Sequence, residues 1–422
     1  MEAKLQTQPT RTVLSPSTGG ALGGLALSML LSSLGTSIAN VALPSLAQAF
    51  DASFQQLQWV VVTYLLGVTA SIVGVGRLGD LVGRRRLLVG GLMLFVGAAA
   101  SSGLAPSLGA LIVARLAQGV GAAVLMALTL AFVADIVPKE RTGSAMGLLG
   151  TTSAIGTALG PSIGGILIAE IGWRAIFFVQ VPLGLLALHL AIRFLPADRA
   201  EERQTAGLRG VGALLPPMGL LRDPALGAGL VMSLLVSTVL MATLVVGPFY
   251  LSRGLGLAAG SVGMVMAAGP LVAALAALPA GRLVDRVGAH RSTMAGLLGV
   301  LVGASALAVT PMTLGTAGYI APVVMITASY ALFQAANNTG VLRDLSSARR
   351  GVVSGMLTLS RNLGLIAGAA VMGAVFATAS GQEDIARAPA DQVAMGMHAT
   401  FALAALLIGV ALGVGRAISA RA

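Results

Sequence analysis

Twelve stretches of this chain stay apolar for about 20 residues, the length that a helix needs to cross the hydrocarbon core of a bilayer. They lie at 21–43, 58–78, 87–104, 107–134, 144–169, 174–195, 225–251, 260–282, 291–310, 316–343, 351–378 and 394–416. The stretches are apolar throughout and do not alternate with polar residues, which favours helices over the strands of a barrel. The sequence therefore predicts an all-α membrane protein with twelve transmembrane helices.

The low fraction of charged residues agrees with a membrane protein, and several missing residue types and motifs exclude classes of function. Only 10% of the 422 residues are charged, whereas a soluble domain carries about 25%. The chain has no cysteine, which excludes disulfides and thiolate sites. It also lacks a phosphate-binding glycine loop and a histidine pair at metal spacing, so we expect no enzyme activity, cofactor or metal.

The placement of basic residues predicts the orientation. With both termini in the cytoplasm, 21 of the 26 Lys and Arg residues fall in cytoplasmic segments, three in outer loops and two inside spans. This is the asymmetry of the positive-inside rule. The net charge of +11 is therefore a topology signal, and we expect no nucleic-acid partner.

An internal repeat divides the chain into two halves. The frame G-R-L-x-D-x-V-G-x-x-R occurs at 76–86 and again at 281–291, after predicted helices 2 and 8. We predict two pseudo-symmetric six-helix bundles, with a substrate site between them near the midplane. The predicted boundaries are a cytoplasmic tail 1–20, a first bundle 21–195, a linker 196–224, a second bundle 225–416 and a tail 417–422.

The repeated loop resembles the signature of the major facilitator superfamily. The segments 38–44, 57–66 and 115–122 resemble its drug:proton antiporter branch, here in a twelve-helix form. A group of residues in predicted helix 5 resembles the motif associated with exporters: Gly156, Gly160, Pro161, Gly164 and Gly165. Glycines spaced by four let another helix approach closely, and the proline can kink the helix.

The resemblance also implies a cytoplasmic gate. Asp80 would accept hydrogen bonds from the start of helix 11 near Gly351, with Arg141 as a cation, and Asp285 would do the same at helix 5 near Thr142. The alternative is a turn with topology charges only. The predicted gate consists of Gly76, Asp80, Gly83, Arg84, Arg85, Arg141, Asp285 and Arg286.

Two arginines lie within predicted spans, where ionisable residues are functional candidates. Arg115 lies in helix 4 on the same face as Gln118, and Arg361 lies near the middle of helix 11. We predict that both, with Gln118 and Asn40, act in coupling or substrate binding, although either arginine could be structural. Further candidates for a pocket are Tyr64, Gln180, Tyr250, Tyr330, Phe333, Gln334, Asn337 and Asn338.

One departure from the family pattern affects the mechanism. The resemblance places an aspartate in helix 1 where this chain has Gly35, and none of the fifteen acids lies near the midplane. Protons could be carried by Asp135 or Glu170, or by His189 or His398, or the cycle could use no carboxylate. In the last case the two arginines would leave the interior positive and favour anionic or zwitterionic cargo.

These features predict a secondary exporter of small amphipathic molecules, of multidrug type, driven by proton antiport. The alternatives are an exporter of organic anions or metabolites and a non-transporting membrane sensor or scaffold. By family we expect a monomer in the inner membrane of a bacterium, in contact with the lipid bilayer.

Overall fold

The computed structural model describes residues 16–137, 142–198, 223–342, 347–381 and 388–419. Helices occupy almost all of these residues and coincide with the twelve predicted spans. In the first half they are α1 Pro16–Phe50, α2 Phe54–Val82, α3 Arg84–Gly103, α4 Leu108–Ile136, α5 Thr142–Glu170 and α6 Ala175–Phe194. In the second half they are α7 Pro224–Phe249, α8 Ala259–Val287, α9 Ala289–Val309, α10 Gly315–Leu342, α11 Ser347–Ala367 and α12 Ala390–Ser419.

Two of these helices continue through a π-helical turn. Tyr250–Gly254 extends α7, and Gly368–Met372 joins α11 to a last segment, Gly373–Ala379. Within the described ranges, eleven helices are long and apolar enough to cross a membrane. The remaining one, α2, is 29 residues long. The predicted all-α fold is confirmed, with α1 beginning at Pro16, inside the predicted tail.

Local sequence accounts for several helix boundaries. Ser53 caps α2 by accepting from the Gln56 amide, and the Gln56 side chain accepts from the Ser53 amide in return. Asp223 caps α7 immediately before Pro224, a residue well suited to a first helical position. Gly83 separates α2 from α3 with a φ of 106°, which only glycine adopts without strain.

The helices form two bundles with the same internal pairing. In the first half α1 packs on α5 and α6, and α4 packs on α2 and α3. In the second half α7 packs on α11 and α12, and α10 packs on α8 and α9. Each pairing thus recurs six helices later, as the sequence repeat predicts. The bundles also meet directly, most extensively through α5 and α8.

Candidate functional site

An aromatic layer closes the space between the bundles at one end. Phe54 of α2 lies with its ring centroid 4.8 Å from that of Phe249 in α7 and 5.3 Å from that of Phe376 after α11. All three rings are almost fully buried. We call this the closed end of the molecule; it is where α1 ends and α2 begins.

A second contact between the bundles lies one turn deeper. Gln58 of α2 is buried, and its amide nitrogen occupies the place where a Cβ on Gly373 would lie. Only a glycine lets the two helices approach this closely, so Gln58 and Gly373 complete the seal that the aromatic layer begins.

The predicted exporter motif packs on both bundles. A Cβ added to Gly156 would lie 2.6 Å from the Leu30 carbonyl oxygen, and Gly160 and Gly164 likewise face α1. Gly165 instead faces the second bundle, where a Cβ would lie 2.7 Å from the Ala259 carbonyl oxygen and 2.8 Å from Gly263 Cα. The Pro161 carbonyl contacts Gly263 from the same side. The motif therefore allows close packing within its own bundle and also across the interface.

The opposite end, where α2 ends and α3 begins, differs from the closed end in its exposed surface. Here the exposed side chains include polar ones that a lipid-facing surface would not favour, on α5, α10 and α11: Thr151, Asn338, Thr339 and Ser354. An aqueous cleft between the bundles, ending at the aromatic layer, would account for these exposed polar side chains. We call this the open end.

Arg115 lies in the core of the first bundle and is fully buried. Its Nε donates to the Val60 carbonyl at 3.2 Å, its Nη1 to Gln118 Oε1 at 2.7 Å and its Nη2 to the Gly35 carbonyl at 2.9 Å. The guanidinium also lies 4.2 Å above the ring centroid of Tyr64. All three nitrogens have neutral partners, so this arginine joins α1, α2 and α4 and is closed to a ligand.

Gln118 extends this network to α6. Its Nε2 donates to Gln180 Oε1 at 3.0 Å, and Gln180 Nε2 donates to the Ile176 carbonyl at 2.9 Å. Tyr64 is held in place by a hydrogen bond from its hydroxyl to the Ser32 carbonyl at 2.8 Å. Gln180 and Tyr64, candidates for the pocket on sequence grounds, are thus structural members of the Arg115 network.

The space beside Gly35 is already filled. A Cβ at this position would lie 2.8 Å from the Tyr64 hydroxyl oxygen and 3.4 Å from the Phe95 ring. The Tyr64 hydroxyl therefore occupies the space that an acidic side chain at position 35 would need. Arg115 bonds to the Val60 and Gly35 carbonyls and not to a carboxylate.

Arg361 has a different environment. It is half-buried in α11, and its Nε is buried without a hydrogen-bond partner. No residue in the described part of the chain hydrogen-bonds to its guanidinium or forms an ion pair with it. The hydroxyl of its neighbour Ser360 donates to the Leu230 carbonyl of α7 at 2.6 Å, so α11 is anchored here, while the arginine has no partner among the residues that the structure describes.

Most of the other pocket candidates pack within the second bundle. Asn337 donates to the Gly229 carbonyl at 3.1 Å, and Phe333 is buried against Gly296. Tyr250 is buried beside Tyr319, and its hydroxyl has no hydrogen-bond partner in the described part of the chain. Asn338 is exposed at the open end, and Tyr330 and Gln334 are half-buried.

Asn40 belongs to the first bundle and is fully buried in α1. Its Nδ2 donates to the Thr36 carbonyl at 3.1 Å and to the Ser37 carbonyl at 3.3 Å. Its Oδ1 is buried and accepts no hydrogen bond from any residue within the described ranges.

The predicted gate is only partly within the described residues. Arg141 lies outside them. Gly76, Asp80 and Thr142 lie on described helices, but the surroundings of these three residues are not among what the structure describes. Asp285 and Arg286 are exposed at the open end, and Asp285 makes no hydrogen bond to the described part of α5. The double latch stays a prediction for the state in which this end closes.

At the same end, the start of α3 is capped by Asp198, a residue that was not among the gate candidates. Asp198, which follows α6, accepts hydrogen bonds from the backbone amides of Arg85 at 2.8 Å and Arg86 at 3.2 Å. It thereby caps α3, where three consecutive arginines face the positive end of the helix dipole. The Arg85 side chain also donates to the Ile192 carbonyl. On sequence grounds Asp198 was part of the linker, because nothing local reveals a partner more than 110 residues away.

Two matched bundles of long apolar helices that meet in a sealed aromatic layer are the architecture of a multi-pass membrane transporter. The chain belongs to the Major Facilitator Superfamily, whose family model matches residues 25–369.

Several curated relatives cover most of the chain. The riboflavin transporter RibZ of Clostridioides difficile is 28% identical over 84% of this chain and 87% of its own length. The multidrug resistance protein Stp of Mycobacterium tuberculosis is 30% identical over 84% of this chain and 74% of its own.

Among solved structures, a bacterial homologue of the human lysosomal transporter Spinster, in an inward-facing, unoccupied conformation, has a similar fold. It superposes with a TM-score of 0.79 and 16% identity, covering 96% of this chain and 97% of its own. A point mutant of the nucleoside transporter NupG superposes with a TM-score of 0.76, 14% identity, and coverage of 95% and 99%.

Proposed function

We propose that this chain exports small amphipathic molecules from a bacterial cell by alternating access, in exchange for protons. The observation that carries this proposal is the pairing of a sealed aromatic end with exposed polar side chains at the opposite end. This pairing is what one of the two states of alternating access requires. The second state would open the aromatic layer and close the other end with the predicted gate.

The direction of transport rests on the orientation and on the exporter motif. If the termini are cytoplasmic, as the basic residues predict, the cleft opens to the cytoplasm and can take up cargo there. Multidrug resistance proteins and efflux pumps among the relatives support export, while the riboflavin transporter shows that cargo differs within the group.

Proton exchange is the driving force that the family resemblance favours. The six acids whose side chains the structure describes all lie at or near helix ends: Asp51, Glu170, Asp198, Asp223, Asp285 and Asp391. Of the two acids predicted as carriers, Glu170 is exposed at the end of α5, and the side chain of Asp135 lies outside the described residues. We take Glu170 as the candidate carrier among the described acids. His398 is held by a 2.8 Å hydrogen bond between its Nε2 and the Thr310 carbonyl.

Transport in proteoliposomes tests the proposal. The purified protein, in neutral phosphatidylcholine vesicles with an imposed pH gradient, is given ethidium as an amphipathic cation and carboxyfluorescein as an amphipathic anion. We expect gradient-dependent flux of at least one dye, abolished by a protonophore. Flux of neither dye would contradict the proposal and favour a sensor or scaffold.

A further inference from the structure

The two membrane-embedded arginines differ in what their guanidinium groups can still do. Arg115 uses all three nitrogens on carbonyl and amide oxygens and is fully buried. Arg361 has no hydrogen-bond partner among the described residues and is half-buried. A buried cationic donor without a partner is costly, and the Nε of Arg361 is buried with no partner among the described residues, so this is the arginine whose hydrogen bonds a ligand can still complete.

The helix around Arg361 shows which way this residue faces. Ser354, Thr358 and Arg361 are spaced by four and three residues, so they lie on one face of α11. Ser354 is exposed and Thr358 is half-buried. On the opposite side of the helix Leu363 is exposed and apolar, as a lipid-facing residue should be.

The third side of α11 is packed on its own bundle. Val353 and Leu357 are buried against α7, Ser360 bonds to the Leu230 carbonyl, and a Cβ at Gly364 would meet the Leu234 carbonyl of α7. The polar face that ends at Arg361 is therefore the one directed into the cleft between the bundles.

None of the six acids with described side chains is placed to neutralise this charge, since all of them lie at or near helix ends. A cationic cargo would meet an unpaired arginine in the wall of the cleft. An anionic group would complete its hydrogen bonds and its charge together, and such charge-assisted bonds are the strong ones.

We propose that Arg361 binds the negatively charged group of an amphipathic organic anion, such as a carboxylate or sulfonate, within the cleft. The inference rests on the proposed function, because it names the class of cargo that the transporter takes. Arg115 positions α1, α2 and α4 and does not contact the cargo.

Equilibrium binding tests this independently of transport. Carboxyfluorescein and ethidium are titrated into the purified full-length protein in neutral detergent, for the parent and for Arg361→Gln, Arg361→Lys and Arg416→Gln. Arg416→Gln is the matched control, because it removes the same charge from an exposed position in the last turn of α12.

We expect Arg361→Gln to weaken carboxyfluorescein binding roughly 10- to 100-fold, the usual effect of losing a charge-assisted hydrogen bond. Arg361→Lys keeps the charge without the planar fork and should lie between Gln and the parent. Arg416→Gln should match the parent, and ethidium binding should not fall in any variant. An unchanged thermal unfolding temperature shows that Arg361→Gln is folded.

Three results would overturn the inference: a parent that does not bind carboxyfluorescein, equal binding by the parent and Arg361→Gln, or an equal loss of ethidium binding. A parent that binds the anion through Arg361 but moves neither dye in vesicles would contradict the proposed function and leave the binding site standing.

Discussion

The Nη2 of Arg115 donates to the backbone carbonyl of Gly35 at 2.9 Å, at the position where the resemblance places an acid in helix 1. The partners of Arg115 are carbonyl and amide oxygens, with the face of the Tyr64 ring beneath. A fully buried charge of this kind needs hydrogen-bond partners, and each of the three guanidinium nitrogens donates one bond here. This region is therefore a structural joint between α1, α2 and α4.

The first prediction contrasts the two arginines. Arg115→Met leaves Gln118 Oε1 and the Gly35 carbonyl without their donor, so we expect the free energy of unfolding to fall by about 3 kcal/mol. Arg361→Met removes no hydrogen bond within the described residues, so it should change the free energy of unfolding by less than about 1 kcal/mol. Denaturation of both variants in the same detergent measures this. Equal destabilisation would show that Arg361 is structural as well.

The second prediction concerns the space at Gly35. Gly35→Ala places a methyl group 2.8 Å from the Tyr64 hydroxyl oxygen, and we expect overpacking to cost about 1–3 kcal/mol. Tyr64→Phe removes that oxygen, so the double variant should be more stable than the sum of the single changes by roughly 1 kcal/mol. Gly97→Ala, where nothing lies within 4 Å, is the control. Strict additivity would refute the contact.

The third prediction concerns the cap of α3. Asp198→Ala removes the acceptor for the Arg85 and Arg86 amides, and we expect the free energy of unfolding to fall by about 1 kcal/mol. Glu170→Ala, an exposed acid at the end of α5, serves as the control for loss of charge. Faster hydrogen exchange in the first turn of α3 should accompany the Asp198 change only. Unchanged exchange there would mean that the linker does not cap the helix.

Sequence alone was sufficient for the helices, because the apolar runs and the repeated loop are local signals. It could not separate Arg115 from Arg361, since both are single arginines inside an apolar span. What distinguishes them is the Val60 and Gly35 carbonyls, 55 and 80 residues from Arg115 along the chain. Every residue has a backbone carbonyl, so the residue types at 35 and 60 do not show that these two carbonyls accept bonds from an arginine.

The closed end was missed for a related reason. Phe54 and Phe376 are ordinary aromatic residues near the ends of spans, and Gln58 lies in a motif noted only for its family likeness. Their meeting requires the two bundles to be placed against each other, which the repeat implies in outline but not in register. The glycine spacing of α5 did predict close packing, although not that Gly165 faces the other bundle.

The fourth prediction concerns Gly165, the glycine of α5 that faces the second bundle and not α1. Gly165→Ala forces a methyl group against the Ala259 carbonyl and Gly263 Cα, so the bundles must separate slightly. A bias of about 1.4 kcal/mol between the two states would slow export roughly tenfold. Gly147→Ala, on the same helix with nothing within 4 Å, should leave export unchanged. Equal rates for both variants would show that this contact does not influence the cycle.

The most direct test of the account locks the closed end. The chain has no cysteine, so Gln58→Cys with Gly373→Cys introduces a single thiol pair where the α2 side chain meets α11. A short cross-linker that a reductant cleaves should then stop dye flux in proteoliposomes, the reductant should restore it, and the flux of either single variant, whatever its starting rate, should not respond to the cross-linker. Full flux through completely cross-linked protein would contradict transport by alternating access.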